Sequence, residues 1–164
     1  MPSLDYPSLD YIDSHIHFWD PKKLNYAWLK EVPAIAGAYL PQNLADRLKE
    51  QADFSLKGIV FVQADCDHQQ GLAEAAWVSE LASHAPIQGI VAFAPLEKGK
   101  EVKPYLDALK AYPLVKGVRR LIQSEPLGFS LQDSFIEGVQ SLEAYGYSFD
   151  ICVYHHQLGM LSNC

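Results

Sequence analysis

The sequence predicts an α/β protein with a parallel sheet, built from successive strand–helix units. Three observations carry this. Five short apolar runs, centred on Ile12, Val60, Val91, Val118 and Ile151, stand out, and the later ones are nearly continuous, as strands covered on both faces are. Between the runs lie stretches whose apolar residues recur with helical spacing. The runs recur about every 30 residues, the length of one β-α-β unit.

The elements follow in order. Tyr11-Ile12-Asp13-Ser14 leads into His15-Ile16-His17 and then a turn signal, Phe18-Trp19-Asp20-Pro21. A long first loop, 18–41, is rich in aromatics and prolines. Leu40, Leu44 and Leu48 share a helix face. Gly58–Val62 is the second strand, and Leu72, Ala76 and Leu81 mark the helix after it. Gly89–Phe93 is the third, followed by Val102, Tyr105, Leu106 and Leu109 at i, i+3, i+4, i+7. Val115–Val118 is the fourth, followed by Phe135, Val139 and Leu142, with Gly146 placed as a left-handed cap. Phe149–Val153 is the fifth.

Only His155 to Cys164 follow the fifth strand, too few for its covering helix. A complete eight-fold barrel takes about 250 residues. A five-stranded doubly wound sheet fits the length, but it too should finish on a helix. We therefore expect a partial (β/α)8 TIM barrel, with about the first five strands present and the C-terminal three missing. Pro2-Ser3-Leu4-Asp5-Tyr6 recurs as Pro7-Ser8-Leu9-Asp10-Tyr11. We read residues 1–10 as a disordered terminus created by that duplication, and 11–164 as the partial barrel.

The bulk numbers exclude several classes. A net charge of -7 argues against a nucleic-acid surface and against an anionic membrane. Three widely spaced cysteines make no disulfide framework and no Cys-x-x-Cys metal pair, so Cys66, Cys152 and Cys164 read as reduced thiols, Cys152 as a small core residue. No signal segment or membrane span is visible, which points to the cytoplasm. There is no Gly-x-Gly-x-x-Gly, phosphate loop or Gly-x-Ser-x-Gly elbow. The chemistry concentrates in His15 and His17. Two residues apart on a strand, they face the same way. Two such imidazoles can grip one metal ion, or orient a water and a carbonyl. The plainer reading is a pair of polar side chains bonded to loop backbone.

Ile12-Asp13-Ser14-His15-Ile16-His17-Phe18-Trp19-Asp20-Pro21, with Tyr26-Ala27-Trp28-Leu29 and Tyr39-Leu40-Pro41, resembles the opening of the amidohydrolase 2 family, in its sugar-lactone hydrolase branch. The resemblance continues through Val60-Phe61-Val62-Gln63-Ala64, Glu74-Ala75-Ala76-Trp77-Val78, Lys116-Gly117-Val118-Arg119-Arg120, Phe149-Asp150-Ile151-Cys152-Val153 and His156-Gln157-Leu158. It implies a hydrolase that directs water at the carbonyl of a small polar lactone. The alternatives are a metal-dependent decarboxylase or amide hydrolase of the same fold, or an inactive truncated remnant.

The resemblance also implies a site at the C-terminal mouth of the barrel. His15 and His17 match the first-strand pair that holds a divalent ion, commonly zinc, in metal-using members. Some lactone-cleaving relatives are thought to work without metal. The family's last-strand aspartate has no counterpart here, and His156 is the candidate for a third site residue. One of Arg119 and Arg120, with Arg119 favoured, could hold a substrate carboxylate or polarised oxygen; the other reading is a salt bridge to a helix. Gln63 ends the second strand in the same manner. Trp19 and Trp28 are either pocket walls or packing anchors. Glu74 and Trp77 read as structural, and His68 and His84 as ordinary polar positions. The partners expected are a small-molecule substrate and, because the first and fifth strands would lie unpaired, other copies of the chain.

Overall fold

The structure, a computed structural model, describes residues 9–49 and 53–161. Five strands form one sheet: β1 (Leu9–Ile16), β2 (Phe54–Val62), β3 (Ile87–Phe93), β4 (Val115–Leu121) and β5 (Ser148–Cys152). Every adjacent pair is parallel, and the order is β1-β2-β3-β4-β5. That order decides between the two architectures the length permits. A doubly wound sheet reverses direction at a switch point. Here each strand lies beside its predecessor without reversal, as in a barrel, and the sheet is a partial (β/α)8 barrel.

β1 begins earlier than its apolar centre indicates. The Leu9 amide donates to the Asp53 carbonyl at 2.8 Å, and Leu9 pairs with Phe54. Leu9 and Asp10 therefore belong to the sheet, not to a disordered terminus. The first pentapeptide copy lies outside the described residues, as does Cys164.

Four helices alternate with the strands: α1 (Pro41–Leu48), α2 (Gly71–Leu81), α3 (Lys103–Leu109) and α4 (Asp133–Ser141). A short turn of helix, α5 (Leu158–Leu161), follows β5. The core lies between the helices and one face of the sheet, where Ile59, Phe61, Ile90, Ala92 and Val118 meet Val78, Leu106, Leu109 and Phe135. Around α3 the expected face turns inward: Val102, just before the helix, and Leu106 and Leu109 are sealed from solvent, and Tyr105 is half-buried.

In α2 the expected face is displaced. Gly71, Glu74, Ala75 and Val78 are buried, whereas Leu72, Ala76 and Leu81 are only half-buried. A carboxylate on the inner face concealed the true apolar stripe. Gly138 in α4 is needed for close approach: a Cβ there would stand 1.9 Å from the Leu96 carbonyl oxygen. Gly146 has φ 66°, the left-handed conformation expected of it.

The first loop is folded rather than slack. Two 3-10 turns, Ala27–Lys30 and Pro33–Ile35, break it up, and Phe18, Leu24, Tyr26 and Leu29 are buried. Phe18 stacks on Phe61 of β2 at 6.2 Å between ring centroids. Cys66 and Cys152 are free thiols; Cys152 is half-buried at the mouth, not a core residue, because the β5 pleat turns it away from the helices. Among the described residues, no helix is long and apolar enough to cross a membrane.

Candidate active site

A parallel sheet delivers the C-terminal ends of all its strands to one side. The pleat of β1 sends Ile16 into the core and the flanking His15 and His17 to the opposite face. Their Nε2 atoms stand 3.2 Å apart, with the rings edge to face. His17 Nδ1 lies 2.7 Å from the Val62 carbonyl. A carbonyl only accepts, so Nδ1 carries the hydrogen, and the neutral ring presents a lone pair at Nε2. Arg119 approaches His15 Nε2 at 3.5 Å with one terminal nitrogen. The tautomer of His15 sets its role: with hydrogen on Nε2 it donates to His17, and with hydrogen on Nδ1 it accepts from Arg119.

In the second tautomer both rings turn an Nε2 lone pair to one point. Burial is the main reason His17 sits below the ordinary histidine range; the charges on Arg119 and His15 push the same way, and the Val62 bond opposes them. The spacing suits a divalent ion. Two ligand nitrogens about 2.0–2.1 Å from a tetrahedral ion are separated by roughly 3.3 Å. The pair supplies two such ligands. Among the described residues, no group of three or more His, Cys, Asp or Glu side chains is placed to hold an ion.

The adjacent arginines separate as strand geometry requires. Arg119 turns to the mouth and donates to the Gln63 carbonyl. It is 7% exposed, and its Nε is buried without a hydrogen-bond partner in the described structure. Arg120 turns to the helix side. It pairs with Glu97 at 3.0 Å and Glu125 at 2.5 Å and lies over the Phe129 ring.

A cleft of about 470 Å³ opens between these elements, lined by His17, Trp19, Trp28, Ala64, Asp65 and Arg119, among others. His15 and Arg119 border a neighbouring hollow with Asp150 and Cys152. Trp28 Nε1 donates to the Ala64 carbonyl at 2.9 Å. Trp19 Nε1 donates to the Ile35 carbonyl at 3.3 Å, and its ring lies between Trp28 and Tyr39. The two tryptophans thus wall the cleft and anchor the first loop together.

Two of the candidates stand apart. Gln63 is buried but does not line the cleft; its side chain folds back, and Oε1 accepts from the Asp65 amide at 2.6 Å. His156 is exposed and rests against Tyr154 and His155, because the chain leaves the mouth after Cys152. Gln157 is the buried residue of that turn, donating to the Ile122 carbonyl at 3.0 Å. The structure therefore does not join His156 to the His15–His17 pair.

Asp65 and Asp150 reach the mouth without having been singled out. Asp150 was legible: it is the polar residue in an apolar strand run, and it pairs in register with Arg119. Asp65 has φ 57°, and it is the one non-glycine in the left-handed region among the described residues. Asparagine and aspartate tolerate that region best, which is the only signal its sequence offered.

The sequence profile of the amidohydrolase family matches residues 12–163. The chain belongs to the amidohydrolase family. Among curated relatives of this amidohydrolase, an L-fucono-1,5-lactonase of Burkholderia multivorans is 30% identical over 151 residues, covering 90% of this chain and 48% of the relative. An L-rhamnono-gamma-lactonase of Scheffersomyces stipitis is 26% identical over 170 residues, covering 85% and 50% respectively. A Burkholderia multivorans amidohydrolase crystallised with zinc superposes with a TM-score of 0.71 at 29% identity, covering 93% of this chain and 52% of that one. The chain spans about half the length of the curated relatives it matches.

Proposed function

We propose that this amidohydrolase acts on the lactone of a small polar sugar acid, adding water to the carbonyl and releasing the hydroxy acid. The observation that carries the reading is the meeting of two imidazole Nε2 atoms beside a buried arginine. Water adds its oxygen to the carbonyl carbon, and the ring C–O bond breaks. The water's proton ends on the departing ring oxygen. His15, the exposed member of the pair, is positioned to carry that proton. Arg119 holds the oxygen that becomes negative. Trp19 and Trp28 give the sugar ring an aromatic wall.

His15 and His17 are also the residues that would hold a divalent ion such as zinc, which would polarise the carbonyl or acidify a water. The lactonase relatives and the zinc-bearing neighbour support this reading. A metal-free route, with the histidines alone handling the water, uses the same residues.

A second reading has its own observation. Two ligands without a third hold an ion weakly, and residues 9–49 and 53–161 supply no third. On this reading the 164-residue chain is inactive alone.

The test is a panel of aldonolactones, including the fucono- and rhamnono-lactones, assayed by acid release with and without added zinc. Hydrolysis that falls at least about 100-fold in the His15→Ala/His17→Ala variant, with circular dichroism unchanged, is the expected result. Loss of turnover on chelation assigns the metal route. Turnover by the double variant at the wild-type rate overturns the site. No turnover by the wild type in any arm favours the second reading.

A further inference from the structure

We propose that Glu74, which lies outside the cleft, is a positioning residue for it: its carboxylate fixes the turn at Gln63–Asp65, and through that turn the Trp28 indole and the Asp65 side chain. The inference deepens the reading of the same cleft, and only its activity measurement rests on that reading.

Glu74 is 1% exposed on α2, and its Oε1 accepts from the Ala64 amide at 3.2 Å. The Ala64 carbonyl, at the other end of that residue, accepts from Trp28 Nε1 at 2.9 Å. The next residue, Asp65, stands at φ 57° with its amide bonded to Gln63 Oε1. The Gln63 carbonyl accepts from Arg119. Three side chains from three elements, together with the turn's own Gln63, thus bond three consecutive residues of backbone. A left-handed aspartate persists only where its surroundings over-determine it, and such positions cluster at functional sites. Glu74 is the brace from α2, and among the described residues no other side chain bonds the Ala64 amide.

The charged and titratable groups around Glu74 are Tyr26 of the first loop, Asp65 and Cys66 of the turn, Tyr105 of α3 and Arg119 of β4. Burial pushes Glu74 up to about 7; the Ala64 bond and Arg119 oppose the rise, and Asp65 adds to it. An ionised acceptor holds an amide more strongly than a neutral one. The Ala64 bond, and with it the Trp28 bond, therefore changes strength across neutral pH.

The experiment is a titration of the Trp28 indole N–H resonance by nitrogen–proton NMR, from about pH 5.5 to about 8.5, assigned by its loss in Trp28→Phe. In the wild type the resonance moves with a midpoint near 7. In Glu74→Gln, which keeps an acceptor but cannot ionise, the step near 7 is lost, whatever movement His17 adds at lower pH. In Glu74→Ala it is displaced at every pH. Identical titration of wild type and Glu74→Gln overturns the proposal, as does a resonance that does not move in the wild type. If Glu74→Ala fails to fold, the Glu74→Gln comparison decides alone. Where the wild type hydrolyses a lactone, the limb of its kcat/KM profile near pH 7 disappears in Glu74→Gln. A wild type without lactone hydrolysis counts against the function proposed above, and the resonance still decides the role of Glu74.

Discussion

At the end of β4 two neighbouring arginines are sent to opposite faces by the pleat, and each meets a different environment. Arg120 completes a half-buried ion-pair cluster with Glu97 and Glu125. Arg119 faces the cleft with no carboxylate in ion-pair range in the described structure. Truncating them should therefore separate stability from binding. Arg120→Ala strands two carboxylates that are about three-quarters buried, and should lower unfolding free energy by about 2–4 kcal/mol, measured by chemical denaturation. Arg119→Lys should fold with a loss below about 1 kcal/mol and lose turnover at least about 30-fold, because an ammonium cannot make the planar two-point contact. Equal stability losses in the two variants would contradict this division. For the histidines, isothermal titration of zinc should show binding by the wild type that disappears in His17→Ala; unchanged affinity would remove His17 from the ligand set.

Among the elements, α2 carries a buried carboxylate, Glu74. Burial raises the Glu74 pKa from 4.5 to about 7, so the folded chain retains a proton that the unfolded chain releases inside that window. Stability is fully present below the lower value and is lost as pH rises through the upper one. The loss is about 3 kcal/mol at most. Denaturation at pH 5 and pH 8 should show it in the wild type and not in Glu74→Gln; equal slopes would refute it. In α4, Gly138→Ala drives a Cβ into the Leu96 carbonyl and should lower stability by about 2 kcal/mol or more. The same residues explain what could be read from sequence. The apolar runs fixed all five strands, since covered parallel strands leave an unbroken signal, and the His-x-His spacing placed both rings on one face. The buried face of α2 was not legible, because a glutamate belongs to it and periodicity counts only apolar residues. Nor was Asp65, whose importance lies in its backbone conformation. His156 was drawn to the site by its neighbours in sequence, yet the register of β5 ends before it.

For the whole molecule, the edges of the sheet matter most. Among the described residues, β1 pairs only with β2 and β5 only with β4. Leu9 and Ile12 on the first edge and Ile151 on the last are more than half exposed. An apolar slot of about 280 Å³ lies between α4 and the outer face of β5, lined by Phe135, Val139, Phe149 and Ile151 among others. Uncovered strands of this kind template further pairing. The 164-residue chain should therefore self-associate, with a sedimentation coefficient that rises with concentration. Ile12→Lys with Ile151→Lys should reverse it. A monomer with one cooperative unfolding transition would show that the edges are tolerated. The unreversed strand order has a consequence for how the chain is made. Among the described residues each strand after β1 pairs with the one translated just before it. The partners are still tens of residues apart, Leu9 and Phe54 for instance, and parallel pairing over such a span is slow because the intervening loop and helix must close first. The sheet can grow strand by strand as synthesis proceeds, each new strand closing on the last once its connecting helix has been made.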